Sequence, residues 1–295
     1  MTRHFLDVDD LSVDELGDVL RLAAERHPAK VLDGRGVALI FEKPSLRTRN
    51  ATEMAVFELG GHPLTLRGDE VGLADREPVA DVAKVLSRYH AAICARVFEH
   101  AKLEELAASS SVPIVNLLSD DSHPCQALAD LLTLHQHFGR LDGLKVAYVG
   151  DFNNVSRSLA IAGAMTGVDI RLACPPGYGP TDEDLDRLRL LGLDPMVTSR
   201  PAEAVEGCDA VYTDVWTSMG QEEESSARRQ AFEGFMVDGS MLAGADEAAI
   251  FLHCLPAHRG EEVAAEVVDG RQSVVWQQAE NRLHAVRGLF LWLFS

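Results

Sequence analysis

The sequence predicts an α/β protein made of two doubly wound, parallel-sheet domains joined by interdomain helices. Three observations support this fold class. Short apolar runs typical of buried strands alternate with stretches of helical spacing, and such alternation implies parallel sheets covered by helices. The alternation occurs twice, on either side of an apolar, helix-like stretch at 126–138. The 295 residues, of which 46% are hydrophobic, suffice for two cores.

The first block opens with a helix whose start is marked by Ser12-Val13-Asp14-Glu15. A serine followed three residues later by a glutamate has the spacing of a capping box. Gly60-Gly61 is expected to close a second helix, and the polar stretch 67–77 is expected to be a loop. Strands are predicted at 37–41, 93–97 and 112–117, and helices at 46–59 and 79–89.

The second block repeats this pattern beyond the helix at 126–138. Strands are predicted at 144–149, 170–174, 210–215, 250–255 and 274–276, with helix-like stretches between most of them. Ligands of α/β proteins bind at the carboxyl ends of parallel strands and between domains. We therefore expect the ligand in the cleft between the two predicted domains.

The charge balance narrows the class of ligand. The chain has 27 Lys and Arg against 46 Asp and Glu, a formal net charge of −19. Such a surface repels nucleic-acid phosphates and anionic lipids, so neither a nucleic acid nor a membrane surface is expected as a partner. An acidic protein that binds an anionic substrate must concentrate its few cations, which makes a local arginine cluster informative.

The cysteines argue against a disulfide framework and against a zinc site. They are five in number, far apart, and form no Cys-x-x-Cys pair. No cofactor and no metal are expected from the sequence. No export signal or membrane-length apolar stretch stands out either, so the expected location is cytoplasmic.

The segment Ser45-Leu46-Arg47-Thr48-Arg49 carries the strongest chemical signal. It follows the predicted strand 37–41, and Ser45 is placed to cap the next helix, with two arginines in the first turn. The free N–H groups and positive dipole end of a helix, together with guanidinium groups, favour a phosphate dianion. The alternative is that both arginines merely pair with acidic neighbours such as Glu53.

This segment resembles the Ser-Thr-Arg-Thr-Arg phosphate loop of the aspartate/ornithine carbamoyltransferase superfamily. Further matches follow in the family's order along nearly the whole chain. Asp-x-x-x-Ser-Met-Gly and His-Cys-Leu-Pro are the most specific, and they resemble the ornithine branch. The matching segments are Ala95-Arg96-Val97-Phe98, His123-Pro124-Cys125-Gln126, Gly150-Asp151-Phe152-Asn153-Asn154, Asp214-Val215-Trp216-Thr217-Ser218-Met219-Gly220, His253-Cys254-Leu255-Pro256 and Gln278-Ala279-Glu280-Asn281-Arg282.

The resemblance implies two substrate sites and a division of labour between domains. Residues 1–134 are expected to bind carbamoyl phosphate, with a C-terminal helix at 279–295 packing back on them, and residues 135–278 to bind ornithine. Arg96, His123 and Cys254 are the implied catalytic residues. The implied carbamoyl phosphate ligands are Ser45, Leu46, Arg47, Thr48, Arg96, His123, Gln126 and Arg282. The implied ornithine ligands are Asn154 (with Asn153), Asp214, Ser218, Met219, Cys254 and Leu255.

The chemistry of the reaction explains why these residue types suit it. Negative charge builds on the carbonyl oxygen when phosphate is displaced, so donors aimed at that oxygen should be the main catalytic device. The δ-amine must lose a proton, because its pKa lies near that of lysine, about 10.4. Cys254, beside His253, is a candidate acceptor if its thiolate is favoured. The alternative is an inert core cysteine.

The sequence departs from the family pattern at three places. Leu46 replaces a threonine of the phosphate loop, and an acidic run, Glu222-Glu223-Glu224, follows the Ser-Met-Gly segment. We interpret this run as a solvated one. Counted without a gap from Asp81, Gly72 stands where the family has a glutamine that reaches carbamoyl phosphate across a subunit boundary. Arg76 is the residue of that loop able to replace the glutamine as a donor.

The resemblance thus implies carbamoyl transfer from carbamoyl phosphate to the δ-amine of L-ornithine, which gives L-citrulline and phosphate in arginine metabolism. It also implies a homotrimer or an assembly of trimers. Two alternatives remain open at this point: a carbamoyltransferase with another amine acceptor, and a catalytically silent paralogue that acts as a binding subunit.

Overall fold

The computed structural model of the chain describes residues 2–218, 220 and 222–295. It divides into two compact units: Met1–Leu132 together with Glu280–Ser295, and Thr133–Ala279. Each unit contains one parallel β-sheet with helices around it, so the predicted fold class is confirmed. None of the described helices is long and apolar enough to cross a membrane.

The sheet of the first unit has four parallel strands in the order β2-β1-β3-β4. β1 and β3, at its centre, are almost wholly buried. Phe41 at the end of β1 pairs with Arg96 at the end of β3, so the chain leaves both strands at the same edge of the sheet. The strands are β1 (Gly36–Phe41), β2 (His62–Arg67), β3 (Ala92–Arg96) and β4 (Ile114–Leu118).

Helices cover both faces of this sheet. The first helix starts as predicted, because Ser12 Oγ accepts from the Glu15 N–H and the Glu15 carboxylate accepts from the Ser12 N–H. Two further helices, α6 (Pro124–Phe138) and α13 (Val275–Leu293), contribute residues to both units. The helices up to this point are α1 (Val13–Ala23), α2 (Arg47–Glu58), α3 (Gly68–Val71), α4 (Val79–Tyr89), α5 (His100–Ser109) and α6 (Pro124–Phe138).

The sheet of the second unit has five parallel strands in the order β7-β6-β5-β8-β9. One side of its core is built around Phe232, which stacks on Trp216 and contacts Phe235 edge-on. The strands are β5 (Lys145–Val149), β6 (Asp169–Ala173), β7 (Met196–Thr198), β8 (Ala210–Thr213) and β9 (Ile250–His253). The helices are α7 (Asn154–Thr166), α8 (Asp182–Leu190), α9 (Pro201–Val205), α10 (Ser225–Ala231), α11 (Gly239–Leu242), α12 (Ala265–Val268) and α13 (Val275–Leu293).

Three predictions of secondary structure need correction. The predicted strand 274–276 is wrong: only Ser273 bridges to β9, and Val275 already begins α13. β2 and β7 were not predicted, because both are edge strands whose residues are exposed or half-buried, which weakens the apolar signal. The predicted loop 67–77 also contains the short helix α3.

Candidate active site

The phosphate-loop segment follows the end of β1 and leads into α2. Ser45 Oγ accepts from the Thr48 N–H at 3.2 Å, so Ser45 does supply a side-chain acceptor to the first turn, although the helix proper begins at Arg47. Leu46, the departure from the family pattern, is 75% exposed and makes no side-chain cap. The first turn therefore presents its N–H groups and Arg47 beside the carboxyl end of the sheet.

A network of buried side chains surrounds Thr48 in the same unit. Arg282 donates to Thr48 Oγ1 at 3.0 Å and to Gln126 Oε1 at 2.5 Å, and Arg96 lies 3.5 Å from Thr48 Oγ1. Gln126 in turn donates to Asp130 at 2.8 Å. Four of the predicted carbamoyl phosphate ligands are thus brought together, although they come from β3, α2, α6 and α13.

His123 lies in the same cluster, just before Pro124 begins α6. Burial, and then the positive charges of Arg282, Arg96 and Arg47, hold the pKa of His123 well below its usual 6.5. The imidazole is therefore neutral at physiological pH and donates from a single ring nitrogen. The three guanidinium groups also form a local cationic cluster in a protein with a net charge of −19.

The two arginines of the phosphate loop behave differently. Arg49 pairs with Glu53 at 2.9 Å on the exposed side of α2, as the alternative interpretation required. Arg47 is half-buried instead, and its charge acts on His123. The pairing explanation thus holds for Arg49, whereas Arg47 contributes its charge to the cluster around His123.

In the second unit, Asp214 follows β8 and is 6% exposed. Its Oδ1 accepts from the Cys254 thiol at 2.9 Å, and its Oδ2 accepts from Asn153 Nδ2 at 3.0 Å. Asn153 also caps α7 with its side-chain oxygen, which bonds the N–H groups of Val155 and Ser156. The carboxylate that the motif predicted is therefore held between a thiol and an amide.

Cys254 differs from the other cysteines of the chain. Burial raises the pKa of the Cys94, Cys125, Cys174 and Cys208 thiols, to about 12 for Cys125. Cys254 is only partly buried and has a carboxylate as its hydrogen-bond partner. It is therefore not a fully buried core cysteine, but its proton points to Asp214 and the geometry offers no support for activation by His253.

The His253 ring makes other contacts. Its Nδ1 accepts from the Leu255 N–H at 2.8 Å, and its Nε2 lies 3.3 Å from Glu262 Oε1. Leu255 has φ +59°, a left-handed conformation that is uncommon for a residue with a Cβ. The predicted ligands Asn154 and Ser218 are half-buried on the same unit, and Met219 lies outside the described residues.

Arg228 on α10 was not singled out by the sequence analysis. Its guanidinium donates to Asp151 at 2.7 Å, to the Trp216 carbonyl at 3.0 Å and to Glu224 at 3.1 Å. This single buried side chain ties the loop after β5 to the loop after β8. Glu224 of the acidic run is therefore anchored, while Glu223 is exposed as expected.

The loop that departs from the family forms its own local contacts. Gly72 adopts φ +61° and is the C-cap of α3. Arg76 is exposed, donates to the Glu70 carbonyl at 3.2 Å and lies 3.7 Å from the Glu77 carboxylate. Within one chain, Arg76 thus forms a surface pair with Glu77, and its predicted role between subunits stays a prediction.

Among the residues that the structure describes, two groups of side chains have potential metal-ligand atoms within 4.8 Å of one another. Asp214, His253 and Cys254 form one group, but the contacts above already engage Asp214 Oδ1 and both ring nitrogens of His253. His258, Glu261 and Glu262 form the other, where Glu261 pairs with Arg229 at 2.9 Å. A cation at either place would have to displace these bonds.

The chain is thus a protein of two parallel-sheet units, with an arginine cluster around His123 in one and a carboxylate–thiol pair in the other. Two family models match: the carbamoyl-P binding domain of aspartate/ornithine carbamoyltransferase over residues 3–136, and its Asp/Orn binding domain over residues 142–293. The chain belongs to the aspartate/ornithine carbamoyltransferase family.

Relatives of known name point to one branch of this family. The ornithine carbamoyltransferase of Acidothermus cellulolyticus is 52% identical over 306 residues, which cover 100% of this chain and 97% of the relative. The solved ornithine carbamoyltransferase of Pyrococcus furiosus is 44% identical, with a TM-score of 0.93 and coverage of 98% and 96%. That of Thermus thermophilus is 45% identical, with a TM-score of 0.91 and full coverage of both chains.

Proposed function

We propose that this protein is an ornithine carbamoyltransferase, which moves the carbamoyl group of carbamoyl phosphate to the δ-amine of L-ornithine and releases L-citrulline and phosphate. The observation that carries the proposal is the opposite polarity of the two sites. Three arginines around a neutral histidine suit an anionic donor, and a carboxylate bonded to a thiol suits a cationic amino acid.

Carbamoyl phosphate binds to the first unit. Arg47, the Ser45 hydroxyl and the first N–H groups of α2 hold the phosphate. Arg96, Gln126 and His123 face the carbonyl oxygen, where negative charge builds in the transition state. Because the His123 pKa is lowered, its donation does not require an imidazolium ion.

Ornithine binds to the second unit through Asn154, Ser218 and Asp214, with its δ-nitrogen near Cys254 and the Leu255 carbonyl. The δ-ammonium first gives one proton to solvent. The neutral δ-nitrogen then attacks the carbamoyl carbon, the bond from that carbon to the phosphate oxygen breaks, and phosphate leaves with that electron pair. The nitrogen passes its second proton to the Cys254 sulfur as the thiol proton moves to Asp214, along the bond of 2.9 Å, so the protons and the charge balance.

The enzyme acts as a homotrimer or an assembly of trimers. Exposed apolar side chains on and beside α2 support this proposal, since large apolar side chains left exposed close together in a fold are typical of interaction surfaces. Leu46, Met54, Phe57 and Leu64 are between 41% and 75% exposed, and Leu64 lies on β2, an edge strand. In such an assembly, Arg76 of one subunit donates to carbamoyl phosphate of its neighbour in place of the family's glutamine.

The proposed setting is arginine biosynthesis in the cytoplasm. The five cysteines are free thiols, which fits a reducing compartment. Ornithine and citrulline are amino acids of arginine metabolism, so the reaction itself supports the assignment to that pathway.

Steady-state citrulline formation from carbamoyl phosphate and ornithine tests the proposal. Putrescine and N-acetylornithine serve as matched acceptors, one lacking the α-carboxylate and the other lacking the α-ammonium charge. Citrulline from ornithine at the highest kcat/KM supports the proposal. A higher kcat/KM with another acceptor would favour a differently specific carbamoyltransferase, and no product with any acceptor would favour a silent paralogue.

A further inference from the structure

A buried carboxylate lies behind the Cys254–Leu255 segment. Glu262 has no exposed surface. Its Oε1 accepts from His253 Nε2 at 3.3 Å and from the backbone N–H of His258 at 2.5 Å. Burying a carboxylate costs free energy unless hydrogen bonds offset the loss of water. The two donors therefore offset the loss of water around the Glu262 carboxylate, which has no surface exposed to solvent.

The hydrogen bonds determine which nitrogen of His253 carries the proton. Nδ1 accepts from the Leu255 N–H at 2.8 Å, so Nδ1 has no proton. Nε2 must then carry it and donate to Glu262. The backbone N–H of His253 is held separately by Gln278 Oε1 at 2.9 Å. Glu262 thus favours the neutral tautomer of His253 in which Nδ1 is free of a proton and accepts from the Leu255 N–H.

Leu255 needs this acceptor because of its own conformation. At φ +59° its backbone is in the left-handed region, which a leucine adopts only when its surroundings hold it there. The bond from its N–H to His253 fixes the peptide that joins Leu255 to Cys254. This peptide lies between the Cys254 thiol and the Leu255 carbonyl. These are the two groups that the proposed function places near the δ-nitrogen.

We propose that Glu262 is a positioning residue for amine transfer. It acts through His253 to hold the left-handed Leu255, and so it sets where the Cys254 thiol and the Leu255 carbonyl meet the δ-nitrogen. This inference rests on the proposed function and deepens it, because it separates binding of the amino-acid end of ornithine from alignment of its nucleophile.

The test compares ornithine with L-norvaline, which has the same carbon chain and α-groups but no δ-amine. Glu262→Leu removes both acceptor oxygens, while Glu262→Gln keeps one oxygen for the His253 and His258 N–H groups. Glu261→Gln, which alters an exposed pair with Arg229, is the matched control. Citrulline formation, inhibition by norvaline and binding of carbamoyl phosphate are measured for each variant.

We expect Glu262→Leu to lower kcat/KM for ornithine on the order of 10- to 100-fold, as found for other partners that orient a functional histidine. Norvaline inhibition and carbamoyl phosphate binding stay unchanged, Glu262→Gln restores most of the loss, and the control behaves as the parent. Unchanged kinetics in Glu262→Leu overturn the inference. So does a parallel loss of norvaline affinity, which indicates collapse of the whole site.

A second pair of variants keeps the test decisive if Glu262→Leu does not fold. In His253→Asn the amide oxygen stands near the position of Nδ1 and still accepts from Leu255. In His253→Gln the amide reaches Glu262 but leaves the Leu255 N–H without its acceptor. We expect the asparagine variant to be the more active with ornithine, and the reverse order overturns the inference. A parent that forms no citrulline overturns the proposed function itself, and this inference falls with it.

Discussion

The two substrate sites are built from opposite materials. In the first unit, guanidinium groups from β3, α2 and α13 surround a neutral histidine. The second has two separate hydrogen-bonded groups: Asn153, Asp214 and Cys254 form one, and Leu255, His253 and Glu262 form the other. In the proposed function the first site would act mainly through charge, and the second mainly through the placement of protons.

This difference follows from the charge of the chain. At a net charge of −19, a cluster of arginines is exceptional and must be assembled against the average composition, whereas carboxylates are plentiful. A cationic site therefore depends on each of its few charges. An anionic site depends instead on how its carboxylates are oriented. A carboxylate in another orientation would not differ from the many acidic side chains elsewhere in the chain.

The largest expected effect is loss of a charge from the first site. Arg47→Ala or Arg96→Ala removes a charge-assisted donor to carbamoyl phosphate, and we expect kcat/KM for carbamoyl phosphate to fall roughly 10²-fold or more. Arg49→Ala is the matched control, because Arg49 already pairs with Glu53 on the surface and such pairs contribute only about 0–1 kcal/mol. Equal losses in Arg47→Ala and Arg49→Ala would contradict the division between the two arginines.

Removal of the Cys254 thiol should lower turnover without weakening the binding of carbamoyl phosphate. Cys254→Ala deletes the acceptor that is bonded to Asp214, and proton transfer of this kind contributes about 10²-fold or more to rate. We expect kcat to fall while the Kd of carbamoyl phosphate is unchanged. Activity of the parent should rise with pH through the neutral-to-alkaline range, since ornithine must lose a proton. A flat pH profile, or an alanine variant as fast as the parent, would remove Cys254 from the mechanism.

Low pH should lower the free energy of unfolding of the first unit, because His123 is buried there as a neutral imidazole. Its pKa is lowered in the folded state by burial and by three arginines, so below pH 6.5 the unfolded chain takes up the proton more readily than the folded one. The free energy of unfolding is then highest above pH 6.5. It falls as the pH drops towards the folded-state pKa, by about 1.4 kcal/mol for each pH unit between the two pKa values. Denaturant titrations of the parent and of His123→Gln between pH 5 and 8 measure the difference. If the free energy of unfolding depends on pH equally in the parent and in His123→Gln, His123 is not the group responsible.

The smallest expected effect concerns the loop that departs from the family. If Arg76 reaches the neighbouring subunit, Arg76→Ala raises KM for carbamoyl phosphate several-fold and leaves the trimer intact, as gel filtration with light scattering would show. Within one chain Arg76 is 69% exposed on its side chain and pairs with Glu77. Unchanged kinetics would leave that surface pair as its whole role, and would leave the enzyme without the contact between subunits.

The first site was the more predictable of the two from sequence. Arg47 and Thr48 follow a buried strand in a chain poor in cations, so a local pattern was enough to find them. The residues that organise the second site have no such pattern. Arg228 bonds Asp151 across 77 positions, and Glu262 matters only because its carboxylate meets His253. Neither stands out among the many charged residues, since their roles exist only once the backbone brings their partners together.

The same contrast applies to the fold. α4 was predicted with the bounds it has, because its apolar positions recur with a clear helical period and Pro78 precedes it. The segment at 274–276 was assigned to a strand because two adjacent valines and a tryptophan favour strands by composition. Only an isolated bridge between Ser273 and Phe251 of β9 precedes this segment, and α13 begins at Val275. The tertiary context therefore outweighed the strand propensity of these residues.

Arg282 also bears on how the protein is synthesised. It reaches Thr48 across 234 positions of the chain, and the stretch Thr133–Ala279, which forms the second unit, lies between the two parts of the first. At ~5–20 residues per second, the ribosome needs roughly 7–30 seconds to translate that stretch. During this interval the nascent first unit has Arg47 and Arg96 but lacks the third arginine. The cluster of three arginines around His123 is therefore complete only after residues 133–279 have been translated.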